Sequence, residues 1–125
     1  VLAQHLNNVE IDFIDHIGSE SELIEFYDRS NLFISPSLYE GFGMPIIEAI
    51  SRGCKVLCTD TEVFREVGGA SVQYFSPDNS SELFKMILNN LDNKNRNNVS
   101  REFLESYKWN NISKNLINFF NKLRY

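Results

Sequence analysis

Apolar positions along the chain change period several times, and each change predicts an element. Residues 1–7 read as the last turns of a helix, broken at Asn8. Residues 10–14 alternate polar and apolar, with Ile11 and Phe13 on one face, and predict a strand. His16-Ile17-Gly18 turns the chain. Ser19 with Glu22 three residues later has the form of a capping box, so a helix is expected over 19–28 with Leu23, Ile24 and Tyr27 inward. The run Leu32-Phe33-Ile34-Ser35 predicts a short buried strand. Two glycines around an aromatic follow, then Pro45, after which Ile46, Ile47, Ala49 and Ile50 fall at helical spacing until Gly53. Proline is favoured in a first helical turn because its missing N–H loses no partner there.

The second half continues the alternation. Residues 55–58 predict a strand, 60–67 a loop with a short helical turn ending at Gly68-Gly69, and 72–75 another short strand. Asn79 with Glu82 suggests a second cap, and Leu83, Phe84, Ile87, Leu88 and Leu91 form a stripe that reads as core. Residues 92–98 are rich in Asn, Lys and Arg and read as a solvated link. Residues 100–107 are expected to be helical, and Trp109 precedes an amphipathic helix carrying Ile112, Leu116, Phe119, Phe120 and Leu123. Adjacent Phe119 and Phe120 share a core only if that face is wide, so at least one is expected to face another domain or chain. Strands alternating with helices imply an α/β fold, a Rossmann-like parallel sheet with helices on both faces. Ligands of such sheets sit at the carboxyl ends of the strands, so the loops after Ile14, Ser35, Cys58 and Phe75 are expected on one edge.

The stretch from Ser37 to Ala49 therefore holds the candidate chemistry. A strand, a glycine loop and a helix N-terminus present backbone N–H groups and a positive dipole end to an anion. Glu40 precedes the loop and Glu48 lies about one turn into the helix. Taken singly, each Glu reads equally well as a charge complementing the helix dipole.

Composition narrows the classes. The 125 residues suffice for one core, and a hydrophobic share of 42% is ordinary for a globular domain. A net charge of -5 with no basic cluster argues against a nucleic-acid surface. No apolar run approaches a membrane span and no signal peptide is visible. The chain begins at Val1 within a helical pattern and reads as part of a longer protein. Cys54 and Cys58 have no second Cys or His pair to complete a metal set and read as reduced packing residues; no metal site is expected. His5 reads as a solvated helix residue, and His16 as a strand-end residue with a lesser claim to lie near a nucleotide.

The string Glu40-Gly41-Phe42-Gly43-Met44-Pro45-Ile46-Ile47-Glu48-Ala49 resembles the E-G-F-G-x-P-x-x-E-A signature of the retaining nucleotide-sugar glycosyltransferases of GT-B fold, family 4. Ser51-Arg52-Gly53-Cys54-Lys55-Val56-Leu57 resembles the family's A-x-G-x-P-V-I, with Lys55 in place of the usual Pro. Glu66-Val67-Gly68-Gly69-Ala70 resembles P-E-V-x-G-x-A, with Arg65 at the Pro position, and residues 28–37 resemble Y-x-x-A-D-x-F-V-x-P-S. The likeness runs from about Val9 to Phe75 and more loosely beyond.

The resemblance implies that the 125 residues are the donor-binding, C-terminal half of a GT-B enzyme, truncated at its N-terminal end. The helices over about 100–124 would pack back toward a missing N-terminal, acceptor-binding domain. It implies a hexosyltransferase, mannosyl- or glucosyl-like, taking a nucleoside-diphosphate sugar such as a GDP- or UDP-hexose as substrate and no cofactor. The acceptor would be a glycan or lipid-linked saccharide, with no nucleic-acid partner, and the setting cytoplasmic, at the inner membrane face as a peripheral protein. Glu40 would lie by the donor sugar as the catalytic carboxylate, and Gly41, Phe42, Gly43 and Met44 would cradle the diphosphate. Glu48 would hold the ribose hydroxyls, while Glu66 matches a less specific position and reads equally as a surface residue. Attack would come from the face the leaving phosphate departs, assisted by that phosphate. The family's diphosphate-neutralising Arg and Lys would precede Val1, so the chain alone is expected to be inactive. Two other readings remain open: a non-catalytic nucleotide-binding relative, and a glycoside hydrolase using Glu40 and Glu48 as a carboxylate pair. The hydrolase leaves the phosphate-type loop without a task.

Overall fold

The computed structural model describes residues 10–92, 95–99 and 101–123. The expected helix over 1–7 and His5 lie outside them. Three strands, β1 (Leu32–Ser35), β2 (Lys55–Thr59) and β3 (Gln73–Phe75), form one sheet in the order β1-β2-β3. Both pairings are parallel, with Ser35 opposite Cys58 and Thr59 opposite Phe75. Among the described residues the α-helices are α1 (Glu20–Arg29), α2 (Met44–Ser51), α3 (Glu62–Gly68), α4 (Ser80–Asp92), α5 (Arg101–Ser106) and α6 (Trp109–Lys122). The result is the expected α/β architecture, a parallel sheet flanked by helices.

The core is built where the apolar spacing predicts it. Ile46, Ile47, Ala49 and Ile50 of α2 are buried, beside Val56, Leu57 and Cys58 of β2 and Phe64 of α3. Each buried isoleucine contributes about 1.5–3 kcal/mol relative to exposure. Cys54 and Cys58 are buried and unbonded to each other. The Cys54 thiol donates to the Tyr27 carbonyl at 2.9 Å.

Both caps form with an altered second half. The Ser19 hydroxyl accepts from the Glu22 N–H at 3.2 Å, yet the Glu22 carboxylate reaches the N–H of Gly18 at 2.9 Å, not that of Ser19. Asn79 caps Glu82 at 3.0 Å, and Glu82 reaches back to the N–H of Ser76.

Three expectations need correction. Residues 10–14 form no strand, and Ile11 and Phe13 are 68% and 90% exposed. Strands need a neighbour for their backbone groups, and no described strand pairs with this segment. Ile24 is exposed, leaving Tyr27 as the buried residue of α1. The stripe on α4 is only partly core: Leu88 and Leu91 are exposed, while Asn90 is buried. Asn90 is satisfied by a reciprocal pair of hydrogen bonds with Gln73 and by the Met86 carbonyl, so its burial does not leave polar atoms stranded.

The link over 92–98 is exposed at Asp92, Asn95, Arg96 and Asn98, as expected, and is also tethered. Arg96 donates to the carbonyls of Asp28 at 2.7 Å, in the last turn of α1, and of Arg52 at 2.6 Å, just past the end of α2. Helix ends leave carbonyls without partners, and the guanidinium supplies several donors at once. Asn97 adds backbone pairing to Gly53 and a side-chain bond to Ser71. The solvated link thus also acts as a clasp.

Candidate active site

Parallel pairing places the carboxyl ends of β1, β2 and β3 side by side. Their following loops are tied together there. The Thr59 hydroxyl donates to the Ser37 carbonyl, and the Asp60 N–H donates to Phe75 O at 2.9 Å. The glycine loop leaves β1 on this edge and enters α2, with Pro45 in the first turn as expected.

Gly43 makes the entry possible. Its φ of 84° is left-handed, and it is the N-cap of α2, where no side chain caps the helix. A Cβ there would stand 3.0 Å from Cε1 of Phe64. Gly43 is thus demanded by the chain's own geometry. Gly41 is different: it is exposed, and a Cβ on it would meet nothing within 4 Å. Packing within the chain therefore gives no reason for glycine at 41. Close approach of a ligand to the backbone would.

Glu40 and Glu48 are both half-buried. Glu48 accepts a hydrogen bond of 3.0 Å from the hydroxyl of Tyr27, in the last turn of α1. Burial, and then this carboxylate, raise the Tyr27 phenol well above the ordinary tyrosine value, so it stays protonated and acts as donor. Phe42 and Met44 are exposed on the loop. Phe42 packs edge-on against Tyr107, with centroids 6.2 Å apart. Together with Ile47, Trp109 and Ile112 they line an apolar cavity of about 360 Å³. Glu66 lies exposed on α3 and its charge, after burial, helps to raise the Tyr107 phenol. His16 is exposed in the segment before α1.

Arg65, standing where the motif has Pro, pairs with Asp60 through both guanidinium arms and lies 4.9 Å over the Tyr74 ring. Lys55, at the other departure, donates to the Asn90 carbonyl at 2.9 Å. Both departures have structural employment away from the glycine loop. Among the described residues no group of three or more His, Cys, Asp or Glu is placed to hold a metal, and no helix is long and apolar enough to cross a membrane.

The reading of the residues missed three participants. Tyr27 looked like core, and nothing in its spacing signals that its hydroxyl meets Glu48. Tyr107 and Trp109 looked like helix ends, and only tertiary packing brings them beside Phe42.

A strand, an uncapped glycine entry and two flanking carboxylates stand together at the carboxyl edge of a parallel sheet, where such sheets take their ligands. The chain belongs to the glycosyl transferases group 1, whose family model matches residues 2–108. It is similar to the O-antigen chain mannosyltransferase B of Escherichia coli, 27% identical over 90% of this chain and 30% of that protein. It is also similar to the serotype-specific mannosyltransferase WbdA of Escherichia coli, 34% identical over 64% of this chain and 10% of that protein. The O-antigen chain mannosyltransferase RfbU of Salmonella typhimurium is 35% identical over 59% of this chain and 21% of its own length. The chain thus spans under a third of these relatives' length. No solved structure matches it at a significant level.

Proposed function

We propose that this chain is the donor-binding part of a retaining GT-B, family 4 hexosyltransferase acting on a nucleoside-diphosphate sugar. The relatives named as mannosyltransferases favour a mannosyl donor over a glucosyl one. Their O-antigen names support a glycan acceptor; the same proposal has it, or a lipid-linked saccharide, met through a preceding domain at the cytoplasmic face of a membrane. The observation that carries the reading is Gly41: an exposed loop glycine with open space over it, between Glu40 and an uncapped helix start.

Departure of the diphosphate breaks the bond between the anomeric carbon and the phosphate oxygen, and charge grows on that oxygen. The N–H groups of Phe42, Gly43 and Met44, with the positive end of α2, offset that charge without reorganising. Glu40 orients the sugar hydroxyls and offsets the positive charge growing on the ring. Glu48 accepts hydrogen bonds from the ribose diol. The acceptor hydroxyl forms the new bond on the same face, and its proton passes to the departing phosphate.

The complete protein, incubated with GDP- and UDP-hexoses and assayed for nucleoside diphosphate release, tests the activity. Two variants separate the roles. Glu48→Ala should weaken binding of the bare nucleoside diphosphate about tenfold or more, since a charged partner for hydroxyls is worth about 1.5–3 kcal/mol. Glu40→Gln should leave that affinity almost unchanged and lower kcat far more than it changes donor binding. If both changes act only on stability, by a few tenths of a kcal/mol, the carboxylates serve the helix dipole and the proposal fails.

A further inference from the structure

We infer that Tyr27 is a positioning residue that sets the orientation of the Glu48 carboxylate for a ribose diol. The inference rests on the reading of Glu48 given above and adds a residue to it. Glu48 reaches its site through three rotatable bonds, and a half-exposed Glu samples many of their combinations. The Tyr27 hydroxyl removes that freedom by donating to Oε2 at 3.0 Å, leaving Oε1 to receive the ligand.

Tyr27 is well placed to impose an orientation because it is itself held at several points. Its side chain is 7% exposed. Its ring meets Phe33 of β1 edge-on, with centroids 5.7 Å apart. Its carbonyl accepts from the Cys54 thiol at 2.9 Å and from Arg96 at 3.5 Å. A carboxylate supported by a buried, fixed donor keeps one geometry whether or not a ligand is present, so binding does not have to order it.

A bland alternative exists: a buried phenol needs some hydrogen-bond partner, and Glu48 is near. The two differ in what Tyr27→Phe does to ribose recognition. Phenylalanine keeps the ring on Phe33, and both carbonyl contacts are made by backbone, so the fold should survive. Affinities of the complete protein for GDP and UDP, each against its 2′-deoxy counterpart, are measured for wild type, Glu48→Ala and Tyr27→Phe. The wild type should prefer the ribonucleotide by about tenfold or more, and Glu48→Ala should abolish that preference. Tyr27→Phe should cut it to about threefold or less, with the deoxynucleotide affinity unchanged. If Tyr27→Phe keeps the whole preference while Glu48→Ala loses it, the inference is overturned and the ribose role of Glu48 stands. An equal loss for both nucleotides makes Tyr27 a structural support and also overturns it. Absence of any preference in the wild type, or its persistence in Glu48→Ala, overturns the ribose reading and the inference together.

Discussion

At the scale of single residues, two neighbouring glycines answer different demands. Gly43 sits at positive φ with Phe64 against the position of a Cβ, so Gly43→Ala combines backbone strain with a tight contact. It should lower stability by about 1–3 kcal/mol, seen as a shift of the urea midpoint. Gly41→Ala meets open space and a permitted backbone, so stability should stay within about 0.5 kcal/mol. Its effect should fall on nucleotide affinity, because the added methyl stands where the ligand would approach. Unchanged affinity in Gly41→Ala would remove the observation on which the donor site rests. Both glycines were legible in the sequence, but not their difference, since the difference lies in Phe64, twenty-one residues away. Both cysteines are buried, as packing residues would be. Burial pushes the Cys58 thiol from its ordinary 9.0 up to about 12, with the Asp60 charge adding to it. The sign follows from linkage: above pH 9 the unfolded chain releases this proton and the folded one retains it, so the thiol's contribution is whole below pH 9 and is lost as pH rises toward 12. Replacing Cys58 with Ala should flatten the decline of stability over that window. Thiol titration at pH 8 should find Cys58 unreactive until the protein unfolds.

At the scale of elements, local signals succeeded where a segment carries its own reason for its conformation. The helix entered at Pro45, the caps at Ser19 and Asn79, and the runs at 32–35 and 55–58 each place an element from residues within reach of one another. Residues 10–14 failed because alternation describes a face and supplies no pairing partner; Phe13 is 90% exposed for that reason. The link at 92–98 is exposed as its polarity suggests, but its tethering was not legible. Arg96 spends its donors on the helix-end carbonyls of Asp28 and Arg52, with a longer contact to that of Tyr27. Asp28 and Arg52 are also an ion pair, so three segments meet at one cluster. The ion pair is well exposed and adds little by itself. The carbonyl bonds matter more, since helix ends left bare lose part of their satisfaction. Arg96→Ala should therefore destabilise by about 1 kcal/mol, whereas Lys114→Ala on exposed α6 should change almost nothing. Because Arg96 bears on the last turn of α1, its loss should also weaken the hold on Tyr27. Equal urea midpoints for the two variants would mean that the clasp contributes no stability.

At the scale of the whole molecule, α6 sets the boundary of what the sequence could disclose. Its pattern correctly gave an amphipathic helix, and the face it forms has no cover: Trp109, Leu116, Phe119 and Phe120 are 82%, 53%, 56% and 57% exposed. Phe119 and Phe120 meet each other edge-on at 5.9 Å, and neither is buried in this domain's core. The family model ends at residue 108, before this helix begins. Apolar surface of this extent is unusual on a finished soluble face, and burying it would contribute about 25 cal/mol for each Å² removed from water. The proposal that α6 packs back toward a preceding domain gives this face its task, and it can be tested by moving one pair of substitutions between two contexts. Leu116→Asp with Phe120→Asp leaves the isolated chain's own core untouched, because both side chains are already exposed in it. Stability of the isolated 125 residues should then change by less than about 0.5 kcal/mol, and their self-association, followed by light scattering, should fall. In the complete protein the same pair would bury two charges without partners, and unfolding should become easier by several kcal/mol. Donor turnover should fall with it, because on this proposal a preceding domain closes on this one to bring acceptor and sugar together. A complete protein that tolerates both aspartates without loss of stability or turnover would show that this face of α6 is not where the halves meet.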